Sequence, residues 1–135
     1  MTAELLVPIS PGELIDKITI LEIKSQRMSD EKKLANVRTE LKLLLDTWQA
    51  SPMAKRADIS ADWSALREVN GMLWDIEDHI RDEERAGRFG ERFIELARAV
   101  YVTNDERAAV KKRINLALGS ALVEEKSYAD YTRKA

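Results

Sequence analysis

The feature that most constrains this chain is the stretch from residue 70 to residue 115, in which apolar side chains recur at helical intervals. That spacing places them on one face of a helix. The stretch predicts three helices, and some charged residues fall inside the apolar faces rather than opposite them. Long Val/Ile/Thr alternations are absent and aromatic residues make up only 6% of the chain, so a β-sheet has little to build on.

Local capping signals predict where the first helices begin. Ser10 can accept a hydrogen bond from an early helix amide, and Glu13 completes a capping box. A helix is therefore expected from this point to about Met28. A second helix is expected over residues 31–48, and the longest loop follows it at residues 49–59, where proline and mixed polar residues interrupt the pattern.

Similar signals divide the second half of the chain. A third helix is expected from about residue 60 to residue 86, and Gly87 and Gly90 mark the break before a fourth helix. The sequence Thr103–Glu106 is a second capping box of the form T-x-x-E. It predicts that a fifth helix begins there and runs to about Leu118.

These boundaries predict an all-α, single-domain bundle of about five helices with a docked C-terminal segment. The domain is expected to span residues 1–135, with a lead-in arm at 1–9 and the C-terminal segment at 120–135. A chain of 135 residues is long enough to bury a real core. The short connections favour antiparallel neighbouring helices.

Composition argues against several classes of function. Twenty-two basic against 24 acidic residues leave a net charge of -2, whereas nucleic-acid and anionic-membrane binders usually need a basic excess. The absence of cysteine and the single histidine, His79, remove thiolate and multi-histidine metal sites. The amino terminus lacks the signal-peptide pattern, and no apolar run approaches the ~18 residues of a membrane span. We therefore expect a cytoplasmic protein with no metal, no cofactor and no membrane contact. Nucleic-acid binding through the short basic cluster Lys111–Arg113 ranks last among the functions considered.

On a helical wheel, several charged residues point towards the core. Glu22 falls between Ile15 and Ile18 in the apolar arc of the first helix, whereas Asp16 and Lys17 lie on the opposite, solvated face. A buried charge without a partner is very costly, so the inward charges must be paired. The residues expected to form a polar centre are Glu22, Asn70, Glu77, Tyr101, Arg107, Lys111 and Asn115.

Two interpretations of this polar centre stay open. It can be a self-satisfied network of ion pairs that sets the register of the helices. It can also be a ligand pocket inside the bundle, in which Arg107 holds a carboxylate or phosphate and a desolvated carboxylate acts as a base. A cavity beside the charges would favour the pocket, and a packed, fully paired cluster would favour the network.

Four blocks in a fixed order resemble a family of small, all-helical bacterial proteins of unknown function: SPGELIDKITILEIK, LWDIEDHIRDEE, YVTNDERAAVKKRIN and GSALVEEKSYADY. The resemblance covers about residues 7–131 and assigns no residue roles. A second resemblance, to the all-helical chorismate mutases, rests on Ile15, Asp16 and Arg27. It implies a bundle site of arginines, a lysine and a glutamate, although the family's early arginine and late glutamine are missing here.

The function expected from the sequence is that of a non-catalytic interaction or accessory protein. It would bind a protein partner or associate with itself as a homodimer, through the edge of the third helix at Trp74 or through the tail. The alternative is a protein or enzyme that binds an anionic small molecule in a polar pocket of the bundle, distantly similar to the chorismate mutases.

Overall fold

The computed structural model describes residues 3–133 as an all-helical fold with no strand in that range. The helices are α1 Pro11–Arg27, α2 Glu31–Ala50, α3 Ser60–Ala86 and α4 Glu91–Ala117, with a short 3-10 turn at Pro52–Lys55. The ends of the predicted arm and C-terminal segment, residues 1, 2, 134 and 135, lie outside the described residues. The all-α class is confirmed, with four α-helices in the described part of the chain instead of about five.

The first two helices begin where local capping chemistry places them. Ser10 Oγ accepts a hydrogen bond from the Glu13 amide at 3.2 Å, and Asp30 accepts one from the Lys33 amide at 3.1 Å. Both side chains satisfy amides that the first turn of a helix leaves without a partner. The Glu13 carboxylate does not close the predicted capping box, because it binds Lys111 on α4.

The helices α3 and α4 form a long antiparallel hairpin that turns at Gly87. This residue has a φ of 69°, and the Arg88 amide donates to the Glu83 carbonyl at 2.9 Å. That geometry is a common helix terminus, so the predicted break at Gly87 is confirmed. Each of the two helices has 27 residues, against 17 in α1. At about 40 Å they are long enough to extend beyond α1.

The predicted start of a fifth helix at Thr103 is wrong, because α4 continues through that position without a break. A T-x-x-E sequence caps the start of a helix only where the preceding backbone is not helical. The range 91–117 contains no glycine or proline that would force such an exit. Packing of α4 against α3 therefore keeps the T-x-x-E sequence inside one helix.

The central element of the fold is α1, which packs against α2, α3 and α4. Its Ile15 and Ile18 are fully buried in one apolar core with Leu66 of α3 and Ile114 of α4. The outer layer is α2, whose side chains are largely exposed. Because α1 is covered from several directions, residues outside its apolar arc can also be buried.

The C-terminal segment, residues 120–133, carries no helix and is mostly exposed. It touches the bundle at Ser120, whose amide donates to the Asn115 carbonyl at 2.9 Å, and at Glu124, which binds Lys111 at 2.9 Å. Further along, the Tyr131 ring centroid lies 5.1 Å from that of Tyr101. These contacts hold separate points of the segment rather than its whole length. The docking predicted for the segment therefore stays a prediction.

Candidate functional site

A buried carboxylate, that of Asp16 on α1, forms the centre of a charged cluster and is only 1% exposed. Arg107 of α4 donates two hydrogen bonds to it, from Nε to Oδ1 at 2.9 Å and from Nη2 to Oδ2. Asn70 of α3 donates to Oδ1 at 2.9 Å, and the Lys111 ammonium lies 3.9 Å from Oδ2. The two-point match of guanidinium to carboxylate ties α1 to the α3–α4 hairpin.

The sequence-based placement of Asp16 on the solvated face is wrong. The helix wheel identifies the most apolar arc of α1, but α3 and α4 also cover the neighbouring side of this helix. Lys17, the next residue along the chain, is exposed as expected. The burial of Asp16 thus depends on where other helices lie, which the α1 sequence does not contain.

Neutral polar groups complete the cluster on either side of Asp16. Asn70 also donates to Thr19 Oγ at 3.0 Å, and the Thr19 hydroxyl donates to the Asp16 carbonyl at 2.8 Å. Near the start of α1, Asn115 Oδ1 accepts a hydrogen bond from the Gly12 amide at 2.7 Å. A Cβ at Gly12 would lie 2.8 Å from that oxygen, so α1 packs directly on α4 at this point.

Lys111 is the second inward cation of the cluster and is itself buried. Its ammonium binds Glu13 of α1 at 2.7 Å and Glu124 of the C-terminal segment at 2.9 Å. Within residues 3–133, every buried side-chain nitrogen and oxygen has a hydrogen-bond partner. The charges of the cluster are therefore fully paired.

The environment keeps both Asp16 and Lys111 ionised at neutral pH. Burial alone would raise the pKa of Asp16, but hydrogen bonds from Arg107 and Asn70 and the nearby charges hold it below the usual value. Burial would likewise lower the pKa of Lys111, but its carboxylate partners raise it above the usual value. A carboxylate with a lowered pKa is a weak base, so Asp16 is poorly suited to general base catalysis.

The structure brings together only some of the residues expected at the polar centre. Asn70, Arg107, Lys111 and Asn115 meet around the start of α1. The other three residues lie elsewhere: Glu22, Glu77 and Tyr101. A ligand-binding role for any member of this set stays a prediction.

Glu22 lies on a different side of α1 from Asp16. The two residues are six positions apart, which is about 1.7 turns of a helix. Glu22 is half-buried, accepts a hydrogen bond from the Trp63 indole at 3.3 Å and lies 3.8 Å from Arg67. The expectation that this inward carboxylate faces an opposite charge agrees with the structure, but its partner belongs to α3 and not to the cluster.

Glu77 and Tyr101 contact residues other than those of the cluster. Glu77 is half-exposed and binds Arg81 on its own helix. It lies beyond the end of α1, since Arg27, the last residue of that helix, already contacts Asp75 at 2.5 Å. Tyr101 is exposed beside the tyrosine ring of the C-terminal segment.

Sequence reasoning missed several members of the cluster: Gly12, Glu13, Asp16, Thr19 and Glu124. One signal could have found three of them. Glu13, Asp16 and Thr19 recur at three-residue steps, so they share one stripe of α1. When a helix carries such a polar stripe beside a broad apolar arc, the stripe can indicate a second face that packs against another helix.

The space beside the charged cluster is small. A cavity of about 40 Å³ lies between α4 and the C-terminal segment, lined by Asn104, Arg107, Ala108, Lys111, Glu124 and Lys126. This volume has room for about one or two water molecules. The cavity that Arg107 and Lys111 line is too small for a substrate-sized molecule. A larger pocket of about 470 Å³ adjoins it at Lys126, between Tyr101, Asp105 and the C-terminal segment.

A larger apolar groove lies on the other side of α1. Residues 3–9 form an exposed N-terminal arm, and the groove of about 580 Å³ separates this arm from the surfaces of α1 and α2. Its walls include Leu14, Leu43, Trp48 and Met53. Leu5 and Leu6 of the arm are 91% and 92% exposed beside it. We call this feature the arm groove.

Fold and site together define a small all-helical protein with a closed, buried ion cluster. The chain belongs to a family of unknown function (DUF6165), whose match covers residues 5–133. No curated protein and no solved structure matches it. Among residues 3–133, no helix combines the length and apolar character that a membrane crossing requires.

The structure gives no support to the second resemblance, to the chorismate mutases. Arg27 binds Asp75, and its guanidinium carbon lies 5.9 Å from the centre of the Trp74 ring. Asp16, by contrast, is enclosed by Arg107 and its other partners. Two of the three residues on which that resemblance rests, Asp16 and Arg27, therefore belong to separate contacts.

Proposed function

We propose that this protein is a non-catalytic interaction protein that associates with a second copy of itself through the arm groove. The observation that carries the proposal is the exposure of Leu5 and Leu6, at 91% and 92%, beside a large apolar groove. Contiguous apolar surface of this kind usually marks a site of protein interaction, whereas single exposed apolar residues do not.

The backbone of the arm also supports pairing with another chain. No backbone hydrogen bond joins residues 4–9 to any other part of the described chain. An extended segment with unpaired amides can pair with a second extended segment, as in strand addition. Two arms related by a twofold axis would pair with each other, and each would cover the groove of the other copy.

Charge and size agree with a second copy as the occupant. Glu4 on the arm and Glu40 on α2 line the groove together with Lys17 on α1. A twofold arrangement can therefore bring Glu4 of one copy to Lys17 of the other. The 17 residues that line the groove approach the roughly 20–30 residues that each partner contributes to an interface of standard size.

The surface predicted from the sequence, the edge of α3 at Trp74, has less support. Trp74 is half-buried, and the Arg27 side chain covers part of its ring. The arm groove offers more exposed apolar surface, so the proposal places the interface there.

The alternative function, an enzyme or binder that holds an anionic small molecule in a pocket among the inward charges, has less support from the cluster while Glu124 is bound to Lys111. Its buried polar atoms are paired within residues 3–133, and the adjoining cavity measures only about 40 Å³. The lowered pKa of Asp16 also counts against a catalytic base. A structural role for the cluster does not require a cavity large enough for a ligand.

The test is the molar mass of the protein in solution over a range of concentrations, measured by light scattering coupled to gel filtration. We expect a concentration-dependent dimer, and we expect the double variant Leu5→Ser, Leu6→Ser to be monomeric. The control is Leu116→Ser, because Leu116 is 66% exposed but lies outside the arm groove. A wild-type protein that is monomeric at every concentration, or equal dissociation by the control, would contradict the proposal.

A further inference from the structure

A carboxylate of the C-terminal segment occupies the outer side of the charged cluster. Glu124 binds the Lys111 ammonium at 2.9 Å and lines the small cavity with Arg107 and Lys126. The hydrogen bond from Lys111 also lowers the pKa of Glu124, so the group is a carboxylate at neutral pH. The cluster thus contains one anion that comes from outside the helical bundle.

The Glu124 carboxylate neutralises a positive charge on the outer side of the cluster. Asp16 and Glu13 within the bundle already balance the charges of Arg107 and Lys111. Lys126, which lines the same cavity, adds a further positive charge. Without Glu124, the outer side of the cluster would carry an excess positive charge beside donors able to bind an oxyanion.

We propose that this outer surface, formed by Asn104, Arg107, Lys111 and Lys126, is a binding site for a small oxyanion, and that Glu124 occupies it when no ligand is bound. The ligand chemistry is that of a phosphate or carboxylate group. Lys111 would donate to it in place of its bond to Glu124. Arg107 keeps Nε and Nη2 on Asp16, and it would use Nη1, which now lies 3.5 Å from Asn104 Oδ1.

The attachment of the segment makes the displacement of Glu124 physically reasonable. Residues 120–133 have no regular secondary structure and are mostly exposed. A carboxylate tethered by a short flexible chain competes with free ligand at an effective concentration on the order of millimolar. The intact protein should therefore bind free anions weakly, and the removal of Glu124 should strengthen that binding.

The volume of the proposed site limits the size of the group that can bind. The cavity of about 40 Å³ becomes available together with the volume that the Glu124 carboxylate vacates. This space accommodates a single phosphate or carboxylate group, and the rest of a larger molecule would extend to solvent along the exposed segment. The small cavity beside Glu124 and the arm groove have no lining residue in common, so anion binding does not require the dimer proposed above.

The experiment is a calorimetric titration of inorganic phosphate, and in parallel of acetate, at constant ionic strength. We expect Glu124→Gln to bind phosphate or acetate at least about tenfold more tightly than the wild type, because the internal competitor is gone. The matched control is Glu125→Gln, which removes the same charge from an exposed neighbour and should behave like the wild type.

A second variant distinguishes a site from a general effect of charge. Adding Lys126→Gln to Glu124→Gln removes one cation at the surface while the buried ion pairs stay intact, and it should reverse most of the gain in affinity. Comparison of the two ligands assigns the site to phosphate or to carboxylate. Binding equal in Glu124→Gln and the wild type, or an equal gain in the Glu125→Gln control, would overturn the proposal. Undetectable binding of both anions to Glu124→Gln would overturn it as well.

Discussion

Replacing Asp16 with asparagine removes one charge from the centre of the cluster with little change in shape. The removal of one partner from a buried ion pair typically costs about 3 to 5 kcal/mol, because the other charge is left without compensation. Lys111 keeps both of its other carboxylate partners, and the half-buried Arg107 can turn to solvent. We therefore expect a loss near the lower end, about 3 kcal/mol, or a fall in Tm on the order of 10 °C.

The effect of Asp16→Asn should depend on pH in a defined direction. The folded-state pKa of Asp16 lies below its ordinary value of 3.8. The ionised group thus stabilises the fold above about pH 4, and this contribution is lost as the pH falls through the folded-state pKa. The stability difference between wild type and variant should be largest near neutral pH and should shrink in acid.

Urea unfolding followed by circular dichroism, at low protein concentration and several pH values, measures this difference. The matched control is Asp75→Asn, because Asp75 also binds an α1 arginine, Arg27, but is 57% exposed. An exposed pair contributes about 0 to 1 kcal/mol, so the control should lose little stability. A loss below about 1 kcal/mol in Asp16→Asn, or a loss independent of pH, would refute the assigned role of the cluster.

Two further changes examine the close contact between α1 and α4. Gly12→Ala would place a Cβ 2.5 Å from the Lys111 carbonyl oxygen, and we expect a loss of about 1 to 3 kcal/mol in urea unfolding. Gly71→Ala is its control, since its Cβ would lie 3.7 Å from Arg27 Nη2, and alanine in a helix should add about 0.5 to 1 kcal/mol of stability. Asn115→Ala removes the acceptor for the buried Gly12 amide and should cost about 1 to 3 kcal/mol; equal stability to the wild type would show that another group or water replaces it.

The cluster and the arm groove meet at the first turn of α1. Gly12 and Glu13 face the cluster, whereas Pro11 and Leu14 belong to the wall of the groove. The arm therefore leaves the bundle from a turn whose position the buried polar contacts hold. If the dimer forms as proposed, Asn115→Ala should weaken the dimer as well as the fold. Light scattering can compare the molar masses of the wild type and the variant at equal concentration.

The sequence by itself determined the features that depend on nearby residues. Ser10 predicted the start of α1 and Gly87 predicted the end of α3, because a cap needs only a suitable side chain or a positive φ within one turn. The inward direction of Arg107 and Lys111 also followed from the wheel, on which they fall within and at the edge of the apolar face that carries Val110 and Ile114. The match to a family of unknown function is likewise a property of the sequence.

Tertiary structure alone decided which groups meet and which helices continue. Asp16 is buried because α3 and α4 cover a side of α1 that its own sequence marks as polar. The helix α4 continues through Thr103 because packing against α3 outweighs a local capping signal. Glu124 reaches Lys111 across 13 positions of the chain through the path of the C-terminal segment. Each of these outcomes depends on surfaces brought together from distant parts of the chain, and local periodicity carries no information about their relative placement.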